Sequence, residues 1–164
     1  MKTKLFIVVL LVFLVSCTPK QELTQRDKDK IKTELSNFVS NMIKDYETAN
    51  VEGIMKYYLD SPDFIAINFD GTLSDHQSFK KGIEEQYKTM ASMRITTVKE
   101  EFRFINKDNV LYVWQGKGDG NMKDGSTIVF NEGMTFGFKK INNEWKVAWQ
   151  TDSCLPPVVT PAKK

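Results

Sequence analysis

The sequence predicts an α+β fold in which helices lie on one face of a curved, mostly antiparallel sheet. Helical periodicity is concentrated in the first half of the chain, four long β-patterned segments fill most of the rest, and the links between those segments are short. Short links between consecutive strands leave no room for crossover helices, so the strands must run antiparallel.

From Ile31 the apolar residues Ile31, Leu35, Phe38, Val39, Met42, Ile43, Tyr46 and Ala49 recur at spacings of three and four. That period predicts an amphipathic helix of about 25 residues. Thr24 is its expected cap, with Asp27 three positions on, and Asn50 is its expected end. A shorter helix over residues 51–59 stops before Pro62. The aromatic stripe of Phe38, Tyr46, Tyr57 and Tyr58 suits either a core or the lining of a cavity.

Residues 64–69 are β-rich, and Asp70-Gly71 supplies the backbone angles of a tight turn before a short return at Thr72-Leu73. Ser74 or Asp75 caps a third helix carrying Phe79, Ile83, Tyr87 and Met90. Strands are expected at 95–105, 110–115, 127–141 and 144–152, with turns at 106–109, 116–126 and Asn142-Asn143. In the loop so predicted, Gly116, Gly118 and Gly120 do not form a dinucleotide fingerprint, because a strand follows them.

The N-terminus reads as an address. MKTKLFIVVLLVFLVSC has two lysines, an apolar run too short for a good membrane span, and small residues before Cys17. Leu14-Val15-Ser16-Cys17 resembles the lipobox of bacterial lipoproteins. The resemblance implies cleavage of residues 1–16, a lipid on Cys17, and a location on the bacterial cell envelope. Residues 17–30 then read as a polar tether, 31–153 as one domain, and 154–164, with three of the five prolines, as a tail outside the core or strapped over it. Loss of Lys2 and Lys4 balances acidic and basic side chains, which argues against nucleic acid as a partner. Cys154 is then the single remaining thiol, so no internal disulfide is expected. One histidine and one thiol do not make a zinc site, and the Asp119–Asp124 segment fails the calcium-loop template at Lys123 and Phe130. No metal or cofactor is expected.

The order of elements, together with ETANVEGIMKYYLDSPDFIAINFDG and the closing FGFKKINNEWKVAWQTDS, resembles the SnoaL-like members of the nuclear transport factor 2-like superfamily. The resemblance spans about residues 25–153. It implies a cystatin-like cone, three N-terminal helices packed on the curved sheet, enclosing a conical pocket. It further implies a range of functions that includes isomerases, cyclases, dehydratases and domains with no known activity, and pairing of copies through the sheet.

Strand alternation locates candidates within that pocket. Ile128, Phe130, Glu132, Met134, Phe136 and Phe138 share one face, so Glu132 is either a partly buried acid suited to proton transfer or a bulge residue facing solvent. Tyr112 and Trp114 share a face, as do Trp145, Val147 and Trp149. Tyr46, Tyr112, Trp114, Met134 and Trp149 are thus the expected ligand contacts. Asp63 and Asp152 are candidates for the cavity rim. His76 is the sole imidazole available for acid–base work, although it lies beside a helix cap and the histidine–aspartate pair of SnoaL-like cyclases does not map onto it. The leading expectation is a lipid-anchored domain that binds a small, largely apolar molecule. The alternatives are an isomerase, dehydratase or hydrolase using Glu132 with Tyr112 or His76, and an interaction module that forms a homodimer through the sheet.

Overall fold

The computed structural model describes residues 22–162, so the signal segment, Cys17 and the start of the tether lie outside the described residues. The chain is α+β, with three helices on a curved, unclosed sheet of seven strands. Helix α1 is Gln25–Glu47, α2 is Val51–Met55 and α3 is His76–Thr89. The strands are β1 (Ile65–Ile67), β2 (Leu73–Ser74), β3 (Met90–Asn106), β4 (Asn109–Met122), β5 (Thr127–Ile141), β6 (Glu144–Cys154) and β7 (Val158–Thr160).

α1 begins with a reciprocal cap. Asp27 N–H donates to Thr24 Oγ1 at 3.2 Å, and Thr24 N–H donates to Asp27 Oδ2 at 3.2 Å. Residues 25–30, expected as the end of the tether, are therefore helical. Ile31, Leu35, Val39 and Met42 form the buried face. Thr48, not Asn50, closes α1; the Asn50 side chain instead caps α2, accepting from Gly53 N–H at 3.1 Å. Asp75 caps α3 through Ser78 N–H at 2.7 Å, and Phe79 and Ile83 turn inward.

The main sheet order is β2-β1-β6-β5-β4-β3, with β7 beside β5. β1 runs parallel to β6 and every other pairing is antiparallel. The long strands arrive through tight links: Asn142 and Asn143 both adopt positive φ, 51° and 67°, in the β5–β6 turn. α1 is tied across the concave face by Ser36 Oγ to Glu100 Oε2 at 3.2 Å and by Ile95 N–H to Glu47 Oε1 at 2.8 Å. Near its start, Glu34 accepts from Lys140 at 2.9 Å and from the Trp145 indole at 2.8 Å.

β3 and β4 are both longer than their sequence patterns indicate. β4 continues to Met122, so Gly116, Gly118 and Gly120 are strand residues, not a flexible loop, and they occupy the same inward face as Tyr112 and Trp114. A methyl group on Gly118 would lie 2.2 Å from the Phe130 ring and 2.8 Å from the Arg94 carbonyl; on Gly120 it would lie 2.5 Å from the Ser92 carbonyl. The glycines let β4 pass beneath neighbouring rings and backbone that no larger residue could clear. At the other end of the sheet, Phe102, Tyr112, Phe136 and Phe138 pack edge and face with centroids 5.0–6.0 Å apart and fill the interior. The tail is a strap: β7 pairs with residues 127–129 of β5.

Gly120→Ala is expected to destabilise the chain by about 1–3 kcal/mol, because backbone must move to admit the methyl group. Gly133→Ala, whose new carbon meets its nearest neighbour at 3.7 Å, should cost far less. Urea unfolding of both variants checks the difference, and equal losses would sink the close-approach account.

Candidate functional site

The wide end of the sheet is hollow. A cavity of about 440 Å³ lies between α1, α3 and the concave face. Val39, Met42, Ile43 and Tyr46 reach it from α1, Phe79 and Ile83 from α3, and Met90, Met93 and Ile95 from β3. Trp114, Ile128, Phe130, Met134 and Phe136 form its sheet wall. Most of this lining is hydrocarbon, ring or thioether, the composition expected of a small-molecule site. Its mouth includes the exposed residues Phe69, Asp70, Gly82, Gln86 and Pro157.

Two carboxyls interrupt the apolar wall. Glu132 of β5 and Asp152 of β6 both line the cavity. The pairs Glu132–Cys154 and Met134–Asp152 make the two acids diagonal neighbours on one face, an arrangement that spaces backbones by about 7–8 Å. Burial, then the charge of Asp152, pushes the Glu132 carboxyl up to about 7. Burial pushes Asp152 up to about 6, opposed by a hydrogen bond from Gln150. Among the described residues Glu132 makes no hydrogen bond or ion pair, and no lysine, arginine or histidine lines the cavity.

Asp152 ends a directed chain of hydrogen bonds. Gln150 Nε2 donates to Asp152 Oδ1 at 3.0 Å, and Tyr58 Oη donates to Gln150 Oε1 at 3.0 Å. Tyr58 has spent its one proton, so Tyr46 Oη donates to Tyr58 Oη across 3.0 Å. Tyr58 and Gln150 are 2% and 1% exposed, which makes this a fixed interior relay in place of a set of mobile surface contacts. Burial raises both tyrosine hydroxyls well above their ordinary range, so they act as neutral donors.

No family model matches the chain, and no curated protein matches it. Solved structures do. A putative scytalone dehydratase from Novosphingobium aromaticivorans superposes with a TM-score of 0.76 at 7% identity, covering 85% of this chain and 94% of that one. Hexachlorocyclohexane dehydrochlorinase LinA-type3 from Novosphingobium barchaimii gives 0.71 at 9% identity, over 84% and 94%. A Nostoc punctiforme protein of unknown function, described as having a cystatin-like fold, gives 0.63 at 17% identity, over 83% and 96%. The fold is a cystatin-like cone. At these identities the likeness concerns the path of the backbone and carries no residue roles across.

Within the cone, Tyr46, Trp114, Met134 and Glu132 stand at the cavity as the sequence indicates. Two expected contacts, Tyr112 and Trp149, do not. Tyr112 lies in the packed end, where its ring is enclosed by Phe102, Phe136 and Phe138 and its hydroxyl donates to Glu100. Trp149 faces the opposite side of the sheet. A bulge places Ala148 opposite no residue of β5, as Phe138 pairs with Val147 and Gly137 with Trp149, so the inward parity of β6 shifts by one. That shift brings Gln150, Asp152 and the half-buried Cys154 inward. His76 lies outside the cavity as well: its Nδ1 is 3.5 Å from Asp60 Oδ1, its ring meets Phe64 edge-on, and its buried Nε2 has no partner among the described residues. Asp63 is exposed and away from the lining. Asp152, placed by sequence only at the rim, sits on the wall. Of the aromatic stripe on α1 and its successor, Tyr46 and Tyr58 line the cavity, whereas Phe38 and Tyr57 pack against each other elsewhere.

Both acids hold protons in the folded chain that the unfolded chain has already released, so stability declines as pH rises from about 4 to about 7. Glu132→Gln keeps the side-chain volume and removes one ionisation. It is expected to flatten that decline and to raise stability at pH 8 by about 1–3 kcal/mol. Urea midpoints at pH 5 and pH 8 check this; an unchanged pH slope would show that Glu132 is not desolvated.

Proposed function

We propose that this chain is a lipid-anchored protein of the bacterial envelope whose cone binds a small, largely apolar molecule. The observation that supports binding most directly is the cavity itself: about 440 Å³ of space walled mainly by aromatic, aliphatic and methionine side chains, in a protein whose opposite end is solidly packed. The support for anchoring is the N-terminal sequence alone. Among the described residues no helix is long and apolar enough to cross a membrane. Radiolabelled palmitate is expected to enter the protein in growing cells and to be lost with Cys17→Ser; labelling that persists in that variant would overturn the anchor.

Gly82 offers a direct test of binding. It lies on the exposed side of α3 at the mouth, and a Cβ there would touch nothing within 4 Å. Gly82→Trp is expected to fold, to obstruct the entrance, and to abolish retention of small molecules from an envelope extract in native mass spectrometry, while the parent chain retains at least one. A parent chain that remains empty would overturn the binding role.

A second reading is favoured by one observation: two neighbouring carboxyls with values near 7 and 6 form an acid–base pair poised for transferring a proton to or from carbon or a leaving oxygen. On this reading the protein is an isomerase or dehydratase. The retained molecule would then exchange carbon-bound hydrogen in D₂O, and Glu132→Gln would slow that exchange by about 10²–10⁴-fold.

A further inference from the structure

We propose that the cavity takes an organic cation: an apolar body carrying a protonated amine directed at Glu132 and Asp152. The assignment rests on the small-molecule reading above and names the chemical class of its ligand.

Its foundation is the unequal treatment of carboxylates in one fold. Where other half-buried acids occur, the protein supplies partners: Glu34 receives the Lys140 ammonium and the Trp145 indole, Glu47 a backbone N–H, and Glu100 the Tyr112 and Ser36 hydroxyls. At the cavity the same chain supplies one neutral amide to Asp152 and nothing to Glu132. Interior charges are ordinarily paired, because desolvating an unpaired one costs several kcal/mol. The missing partner is therefore expected from outside the chain.

The surroundings favour a cation over other partners. Asp70 adds a third carboxylate at the mouth, held ionised by hydrogen bonds from the Thr72 hydroxyl and backbone. The remaining ionisable groups facing the pair are the hydroxyls of Tyr46 and Tyr58 and the Cys154 thiol, all shifted up and so neutral; none is basic. An anion would meet like charge from two elements at once. An alcohol has one proton to donate and would satisfy one carboxylate, leaving the other as it was, and a ketone has none. A protonated amine offers two or three donors, enough to reach both, and Trp114 and Phe130 beside the pair add rings that attract cations.

The test uses three molecules on one skeleton: 3-phenylpropylammonium, 3-phenylpropanol and 3-phenylpropanoate. Each is titrated by calorimetry into the full chain held in phosphatidylcholine nanodiscs at pH 7.5. The ammonium is expected to bind about ten-fold or more tighter than the alcohol, and the carboxylate not at all. The paired change Glu132→Gln with Asp152→Asn should remove the ammonium's advantage, bringing the affinities of ammonium and alcohol for the variant together. Ammonium affinity should also fall as the pH is lowered from 7.5 to 5, as both acids become protonated. Equal binding of ammonium and alcohol, or tighter binding of the carboxylate, overturns the cation while the apolar-cavity reading stands. Failure of all three to bind overturns both.

Discussion

The alternation of side chains along β4 and β5 is the constraint on which this structure depends. One face of these two strands builds both ends of the interior. Val110, Tyr112, Phe136 and Phe138 fill one end, while Gly116, Gly118 and Gly120 continue the same row on β4 and contribute no side chains at the other. The period of two makes the row; the change from rings to glycines along it lets the Trp114 and Phe130 rings, both part of the cavity wall, lie against β4. α1 and α3 then need only span the gap. Their buried positions on the cavity side, Val39, Met42, Phe79 and Ile83, roof it without filling it.

Into that space the sheet sets two acids, and the balance of forces on them gives the site its character. Burial opposes ionisation of both, and the charge of Asp152 adds to the effect on Glu132. Asp152 alone receives a hydrogen bond, at the end of a chain that starts on α1 and passes through the buried Tyr58 and Gln150. A donor favours the charged form of the acid it serves. Asp152 is consequently the member of the pair better suited to carry the charge, and Glu132 the member better suited to hold the proton. The same relay joins α1 to β6 through the interior.

Binding and proton transfer draw on this arrangement in different ways. For binding, the energetic weight lies in the apolar wall, where each buried methylene of a ligand contributes about 0.8 kcal/mol and the polar groups fix orientation. For proton transfer it lies in the two acids and in the water that the wall excludes. The chain's sole histidine stands outside the cavity, edge-on to Phe64. Among the described residues, the proton-carrying groups that the chain itself places at the cavity are carboxyls, phenols and a thiol.

How much of this the sequence discloses follows from the range of the forces involved. The helices, their caps at Thr24 and Asp75, the Asp70-Gly71 and Asn142-Asn143 turns, and the inward row that includes Glu132 all arise from residues within a few positions of one another, and periodicity reports such local preferences directly. The α+β class and the row to which Glu132 belongs were legible for that reason, whereas the choice between an inward and a solvent-facing Glu132 was not. The extension of β4 through its glycines was only partly so: glycine disfavours a strand locally, and the pairing with β3 and β5 overrides that preference, although the every-second-residue spacing of Gly116, Gly118 and Gly120 was a signal in plain view. The inward turn of Gln150 and Asp152 was not legible at all. One unpaired residue, Ala148, reverses the parity of β6, and a bulge is settled by how two strands separated in sequence pack together, not by either strand alone. Local chemistry thus determined which elements form and which residues share a row with Glu132; only tertiary packing decided that Glu132 faces the cavity, that Asp152 would stand beside it and that Trp149 and Tyr112 would not, because register and depth are properties of the assembled sheet.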